Sequence, residues 1–201
     1  FVLAIMLVYA AASVWLKTMI IRLMSVNPFM VLLLYFSQYF LLHEMTQIRI
    51  GLASGMFLIG LYYLCHGRRN LFIGIILLAC LFHYSAMLYL LVLLFNTQSF
   101  NRAKLLLMLL LTLVLGVVQL PLVQMLQIFG GTLFTKVDNY IKLVESGQAD
   151  QINTLNVLSL LSIAVATVLV LFSPRTLLKE NKYAAMHIKV MVLSVLVLSA
   201  F

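Results

Sequence analysis

Residues 71–95, LFIGIILLACLFHYSAMLYLLVLLF, are apolar throughout except at their centre, His83-Tyr84-Ser85. A membrane-spanning helix needs about 20 such residues to cross a hydrocarbon core of roughly 30 Å. The stretch is therefore long enough for one crossing. It also divides into two arms of about 12 residues, each reaching only about 18 Å at 1.5 Å per residue. Such a pair would enter the bilayer, turn at His83-Tyr84-Ser85 and leave by the side it entered. Backbone turning at that depth must be sheltered by other helices or line a polar cavity, because lipid tails cannot hydrogen-bond it. On either reading an imidazole stands inside an apolar profile.

The flanks discriminate between these threadings through their charges, since short loops rich in Lys and Arg stay cytoplasmic. Upstream, an apolar run from Phe1 to Leu16 gives way to a basic connector with Lys17 and Arg22, then Asn27-Pro28, a helix-start signal. Pro28 to Cys65 follows as 38 residues broken only by His43-Glu44-Met45-Thr46-Gln47-Ile48-Arg49, which suits two helices of about 19 residues meeting at a polar tip. Downstream, Leu105 to about Leu126 reads as a span, 127–153 as a long external loop, Thr154 to Phe172 as a span, and Ser173 to Lys189 as a basic connector before a last apolar run. If 71–95 crosses once, the basic residues divide six against seven and orient nothing. If it turns back, ten fall inside and three outside. The second threading is far better polarised, and the sequence predicts a broken or re-entrant helix pair over 71–95, with arms from Leu71 to about Leu81 and from about Ala86 to Phe95.

Composition sets the wider frame. Of 201 residues 65% are hydrophobic and 9% charged, with a mean hydropathy of +1.15. A soluble domain carries about 25% charged residues, so that class is excluded and the expected fold is all-α, a polytopic transmembrane helix bundle in a single domain over 1–201. The net charge of +8 reads as cytoplasmic loops, not nucleic-acid binding. The sequence lacks an initiating Met and begins and ends within apolar runs, as an interior piece of a longer chain would, and no signal peptide is visible. Cys65 and Cys80 have neither the spacing nor the context of a disulfide or metal pair.

Ionisable groups within spans are costly and mark functional sites. Arg49 stands at the outer end of its helix, where a guanidinium fork can hold a phosphate or diphosphate. Beside it Gly51-x-x-x-Gly55 is a small-residue packing pattern. His83 can accept a proton from a hydroxyl near neutral pH, and Tyr84 and Ser85 flank it. His43, Glu44 and Gln47 share the tip with Arg49. His43 and Gln47 are helix neighbours at i, i+4, and Glu44 either orients Arg49 or is itself the base. No His-x-x-x-His or Asp-x-Asp pairing is present, so no metal and no cofactor are expected. Asp138 and Asp150 read as a solvated loop face.

The pair Gln47-Ile48-Arg49-Ile50-Gly51-Leu52-Ala53 and Ala79-Cys80-Leu81-Phe82-His83-Tyr84-Ser85-Ala86 resembles the Q-x-R-x-x-x-A and A-x-x-F-H-x-S-A signature of EpsG-type polysaccharide polymerases, a family similar to the Wzy O-antigen polymerases. The matching stretch runs from about Asn27 to Phe95. The resemblance implies a multi-pass protein of the bacterial inner membrane that joins undecaprenyl-diphosphate-linked oligosaccharides at the outer, periplasmic face. Membrane lipid is a partner, a chain-length regulator is a candidate one, and nucleic acid is not expected. Arg49 and His83 match the pattern directly, and Gln47, Tyr84 and Ser85 carry over as site lining. A flippase or other transporter of the same lipid-linked substrate is the alternative. One geometric tension accompanies the expectation: a tip on 12-residue arms would stop about 10 Å short of one on 19-residue arms.

Overall fold

The structure, a computed structural model, describes residues 2–37, 40, 47–95, 99–118, 142, 146 and 157–200. Every regular element among them is helical. The external loop expected at 127–153 falls outside the described residues except at positions 142 and 146. The chain divides into two compact units, one of Phe1–Ser99 with Asn181–Met186 and one of Phe100–Glu180 with His187–Phe201.

In the first unit, helix α1 spans Val2–Met24, α2 Pro28–Leu34, α3 Ile48–Cys65 and α4 Arg69–Phe82, and a 3-10 helix spans Tyr84–Leu94. Ala4–Met24 and Ile48–Cys65 are each long and apolar enough to cross a membrane. α1 does not stop at Lys17 as the sequence reading expects. Ser13, Lys17, Ile20, Ile21 and Met24 are all buried, and their spacing of i, i+4, i+7, i+8 and i+11 is one continuous helical stripe. A lysine on that stripe is compatible with helix, because its neighbours on the stripe are sheltered with it. α2 begins where Asn27 caps it, its Oδ1 accepting the Met30 backbone N–H at 3.4 Å, with Pro28 in the first turn. α2 ends after seven residues, and residues 35–37 continue as a π turn, so the expected 19-residue arm is not regular α-helix.

α3 and α4 form an antiparallel hairpin through Gly67, whose φ of +77° only glycine adopts without strain. The Gly67 N–H donates to the Leu64 carbonyl and the Arg68 N–H to the Tyr63 carbonyl, both at 3.0 Å. This doubly bonded helix end satisfies carbonyls that would otherwise be orphaned. Small residues set the register. A Cβ on Gly60 would stand 3.0 Å from the Phe72 ring, and Ala53 shares a core with Ala79. In a membrane, close approach of this kind replaces the hydrophobic effect as the source of helix association.

α4 stops at Phe82 because His83 is extended, with φ −150° and ψ 111°. The following arm is a 3-10 helix, whose three-residue period is visible in its buried column of Ala86, Val92 and Phe95, with Tyr89 between. Tyr89 stacks on Phe57 at 4.3 Å between centroids, planes 26° apart. This contact fixes the direction of the arm. Tyr89 is six residues past His83, about 12 Å at the 3-10 rise of about 2.0 Å, and Phe57 is eight residues past Arg49, also about 12 Å along α3. Continued straight on from α4, Tyr89 would lie about 24 Å from Phe57, so the chain reverses at His83 and runs back beside α3. The break and reversal thus fall where the sequence predicts. The arms are 14 and 11 residues and reach about 21 and 22 Å, both short of the roughly 30 Å core.

In the second unit, α5 (Arg102–Val118) packs on the helix Val157–Phe172, and the helices Arg175–Glu180 and Lys182–Ala200 follow. Thr112 and Thr167 return their hydroxyls to the carbonyls of Met108 and Ile163 at 2.9 and 2.8 Å, so neither adds an unsatisfied group to an apolar face. The Arg102 guanidinium hydrogen-bonds the Ser173 carbonyl, tying the start of one helix to the residue that ends the other. Ser173 to Lys189 is not an open connector: Lys189 lies within the last helix, buried, its ammonium 5.9 Å from the Phe100 ring centroid.

Candidate active site

The site is built from the α3–α4 register. Ala53 and Ala79 belong to one core cluster, and four residues from each, Arg49 in the first turn of α3 and His83 at the end of α4 come level at the same end of the hairpin. Arg49 also lies on the packing face itself: Leu52, Ala53, Met56 and Gly60, at i+3, i+4, i+7 and i+11 from it, are buried against α4 and the 3-10 arm. The same face therefore carries a guanidinium at the point where the two partner segments break. The tension between tip heights noted above is removed, because α4 starts at Arg69, two residues before the expected Leu71, and α3 carries Arg49 in its first turn.

Arg49 and Gln47 are exposed, and His83 is half-buried. Gln47 caps α3 through its backbone, the Gly51 N–H donating to its carbonyl at 2.9 Å, while its side chain makes no capping bond. The His83 backbone closes both arms, its N–H donating to Ala79 and its carbonyl accepting from Ala86, each at 3.0 Å. That arrangement satisfies the break locally and leaves the imidazole to project, its ring 5.5 Å from Tyr84. Tyr84 is exposed and Ser85 half-buried. His43 and Glu44 lie outside the described residues. The structure thus brings together Arg49, Gln47, His83, Tyr84 and Ser85 at one end of one helix hairpin.

α1 closes the third side. Tyr9 meets Phe82 edge-on at 5.8 Å, and Ser13, Leu16 and Lys17 pass Gly55 within 3.4–3.6 Å of where its Cβ would be. α1 therefore runs parallel to α3, with its N-terminal half at the Arg49 end. Lys17 and Tyr35 are the residues that sequence reading missed here. Lys17 is 4% exposed, and its ammonium lies 5.3 Å from the Tyr35 ring centroid. A lysine near the centre of a transmembrane helix costs about 2.5–3.5 kcal/mol on insertion scales. The helical spacing from Ser13 to Met24 was the available signal.

The opposite end of the hairpin is basic and aromatic. His66 Nδ1 donates to the Tyr62 carbonyl at 2.8 Å, and Nε2 shares a hydrogen bond with the Tyr183 hydroxyl at 3.3 Å. Tyr62 and Tyr183 stack with planes 11° apart, and Lys182 lies over Tyr183. Burial, then the neighbouring Tyr62 and Cys65, hold the Tyr183 phenol above its ordinary pKa. Arg68 and Arg69 adjoin this cluster at the turn, and Arg22 ends α1 on the same side.

Among the described residues no group of three or more His, Cys, Asp or Glu could hold a metal ion, and Cys65 and Cys80 are not joined in a disulfide. In comparison with known protein families, the model described as the EpsG family matches residues 2–201. No curated protein and no solved structure matches the chain.

Proposed function

The chain belongs to the EpsG family, a Wzy-like family of membrane polysaccharide polymerases, and on that premise we propose that it joins undecaprenyl-diphosphate-linked oligosaccharide repeat units by inverting glycosyl transfer. The observation that carries this reading is the register that sets Arg49 and His83 level at the open end of the α3–α4 hairpin. In the reaction a sugar hydroxyl of one lipid-linked glycan attacks the anomeric carbon of another. The bond from that carbon to the diphosphate oxygen breaks, the electron pair leaves with the lipid diphosphate, and the hydroxyl proton goes to a base. The Arg49 fork balances the charge developing on the departing diphosphate. His83 takes the proton, the role that an imidazole most often fills as general base. Gln47, Tyr84 and Ser85 line the sugar path, and His43 and Glu44, a few residues before Arg49, are assigned to the same tip, Glu44 as the rival base.

The reaction is placed on the outer, periplasmic face of a bacterial inner membrane, with the chain as a multi-pass protein. Charge supports this orientation: Arg22, Arg68, Arg69 and Lys182 gather at the end of the first unit away from Arg49, and basic ends stay cytoplasmic. The tyrosines among them suit an interfacial belt. The test is glycan length in cells carrying Arg49→Ala or His83→Ala. Long chains are expected to vanish while single repeat units accumulate on the carrier at the outer face, with the protein still inserted. Normal chain length in both variants would remove the catalytic assignment, and repeat units trapped on the cytoplasmic face would favour a flippase.

A further inference from the structure

α2 is weakly held for a helix so near the candidate site. Phe29, Met30, Leu33 and Leu34 are all exposed, and within 28–37 the buried residue is Tyr35. Tyr35 begins the π turn and gathers Phe36 and Phe40 around it, at 5.2 and 6.4 Å between centroids. π turns inside helices recur at functional sites. Over the Tyr35 ring stands the Lys17 ammonium. The stem of the same lysine lies against Gly55, its Cγ 3.6 Å from where a Cβ would be. One side chain of α1 therefore meets both α3 and the turn that follows α2.

We propose that Lys17 is a positioning residue of the active site: its ammonium, held over the Tyr35 ring, fixes α2 against α1 and α3 and so sets where the chain leaves for Arg49. Position 35 stands twelve residues before Gln47. The physical warrant is the cost of the charge. An apolar residue on the Ser13–Met24 stripe would pack the α1–α3 seam without desolvating an ammonium, whereas attraction between a cation and a ring face, strongest when water is excluded, fixes orientation as well as contact. At 4% exposure Lys17 offers no surface to a diphosphate, so it acts through α2 and not on substrate.

The proposal rests on the polymerase reading for one arm of its test and is independent of it in the other. In the first arm, the full chain in proteoliposomes is assayed with lipid-linked repeat units. Lys17→Met, which keeps the stem and removes the charge, is expected to lower turnover about tenfold with little change in KM, and Lys17→Arg to restore it. Tyr35→Leu should match Lys17→Met, and the double variant should lose no more than either alone. In the second arm, nitroxides at Val8→Cys and Met30→Cys, with Cys65 and Cys80 replaced by Ala, report the α1–α2 distance by pulsed electron resonance. The distribution should be narrow in the parent and in Lys17→Arg, and broad in Lys17→Met and Tyr35→Leu. If Lys17→Met fails to insert, Tyr35→Leu carries both arms. An unchanged distance in the charge-removed variant, additive losses in the double variant, or a raised KM at full turnover would each overturn the proposal. Absence of polymerisation in every variant, with the distance broadened as expected, would sink the polymerase reading and leave the Lys17 assignment standing.

Discussion

The two ends of α3 are made of similar residues and are finished in opposite ways. At the Cys65 end the last carbonyls are taken up by Gly67 and Arg68, His66 is bonded at both ring nitrogens, and Tyr62 and Tyr183 stack beside it. At the Ile48 end the cap is backbone only, Arg49 is exposed, and the facing helix breaks so that an imidazole projects beside it. One end spends its polar groups on one another. The other leaves Arg49 exposed and His83 half-buried, polar groups within reach of a ligand, as a binding end requires.

The largest expected effect separates the two ends by activity. Removing the imidazole in His83→Ala, or the fork in Arg49→Ala, should lower polymerisation by about 10²–10⁴-fold, with thermal unfolding unchanged when followed by the reaction of the buried Cys65 thiol with a maleimide dye. Arg49→Lys should recover little, because a point charge does not reproduce a bidentate fork. Loss of stability in step with loss of activity would make the open end structural.

A second contrast lies within the seam. Gly60→Ala forces a methyl to 3.0 Å from a fully buried Phe72 ring and should destabilise by about 1–3 kcal/mol in the same thiol assay. Gly55→Ala meets ordinary contacts from 3.4 Å and should cost less than about 1 kcal/mol. Equal costs would mean that the register drawn from Gly60 is wrong, and with it the level of Arg49 and His83. At the closed end, Gly67→Ala places a Cβ at φ +77° with open space around it, so the penalty is backbone strain alone, about 1 kcal/mol.

The smallest effect is Tyr183→Phe, which removes an exposed hydrogen bond worth about 0.5 kcal/mol. Because the phenol pKa is raised, the folded state holds its proton more tightly than the unfolded one. That contribution is complete below the ordinary value of 10.0 and fades as pH rises through the higher folded value. A stability profile of the parent that rises through this alkaline range, or one identical to that of Tyr183→Phe, would contradict the closed end as described.

The break at His83 was legible because charge counting chose between two threadings that apolar length alone left open. The motif pair also singles out Arg49 and His83, which stand at one end of the α3–α4 hairpin. Three features were not legible. Hydropathy ends the first apolar run at Lys17 and puts Lys189 in a connector, since a charge lowers local hydropathy whether or not a neighbouring helix shelters it. The level of Arg49 with His83 depends on which small residues meet across the seam, and hydropathy carries no register. The 3-10 form of the second arm is a choice of hydrogen-bond partner, which residue type biases only weakly; the spacing of Ala86, Tyr89, Val92 and Phe95 agrees with it but suits other conformations too.

That arm has a numerical consequence. Side chains three apart on a 3-10 helix eclipse, so Ala86, Tyr89, Val92 and Phe95 form one straight rail beside α3. Adding one residue beyond Tyr84 would swing every later rung about 120° off the rail, while adding three would restore it and lengthen the arm by about 6 Å. Engineered length changes here should therefore be tolerated in triplets, a spacing rule that no neighbouring α-helix in the bundle would obey.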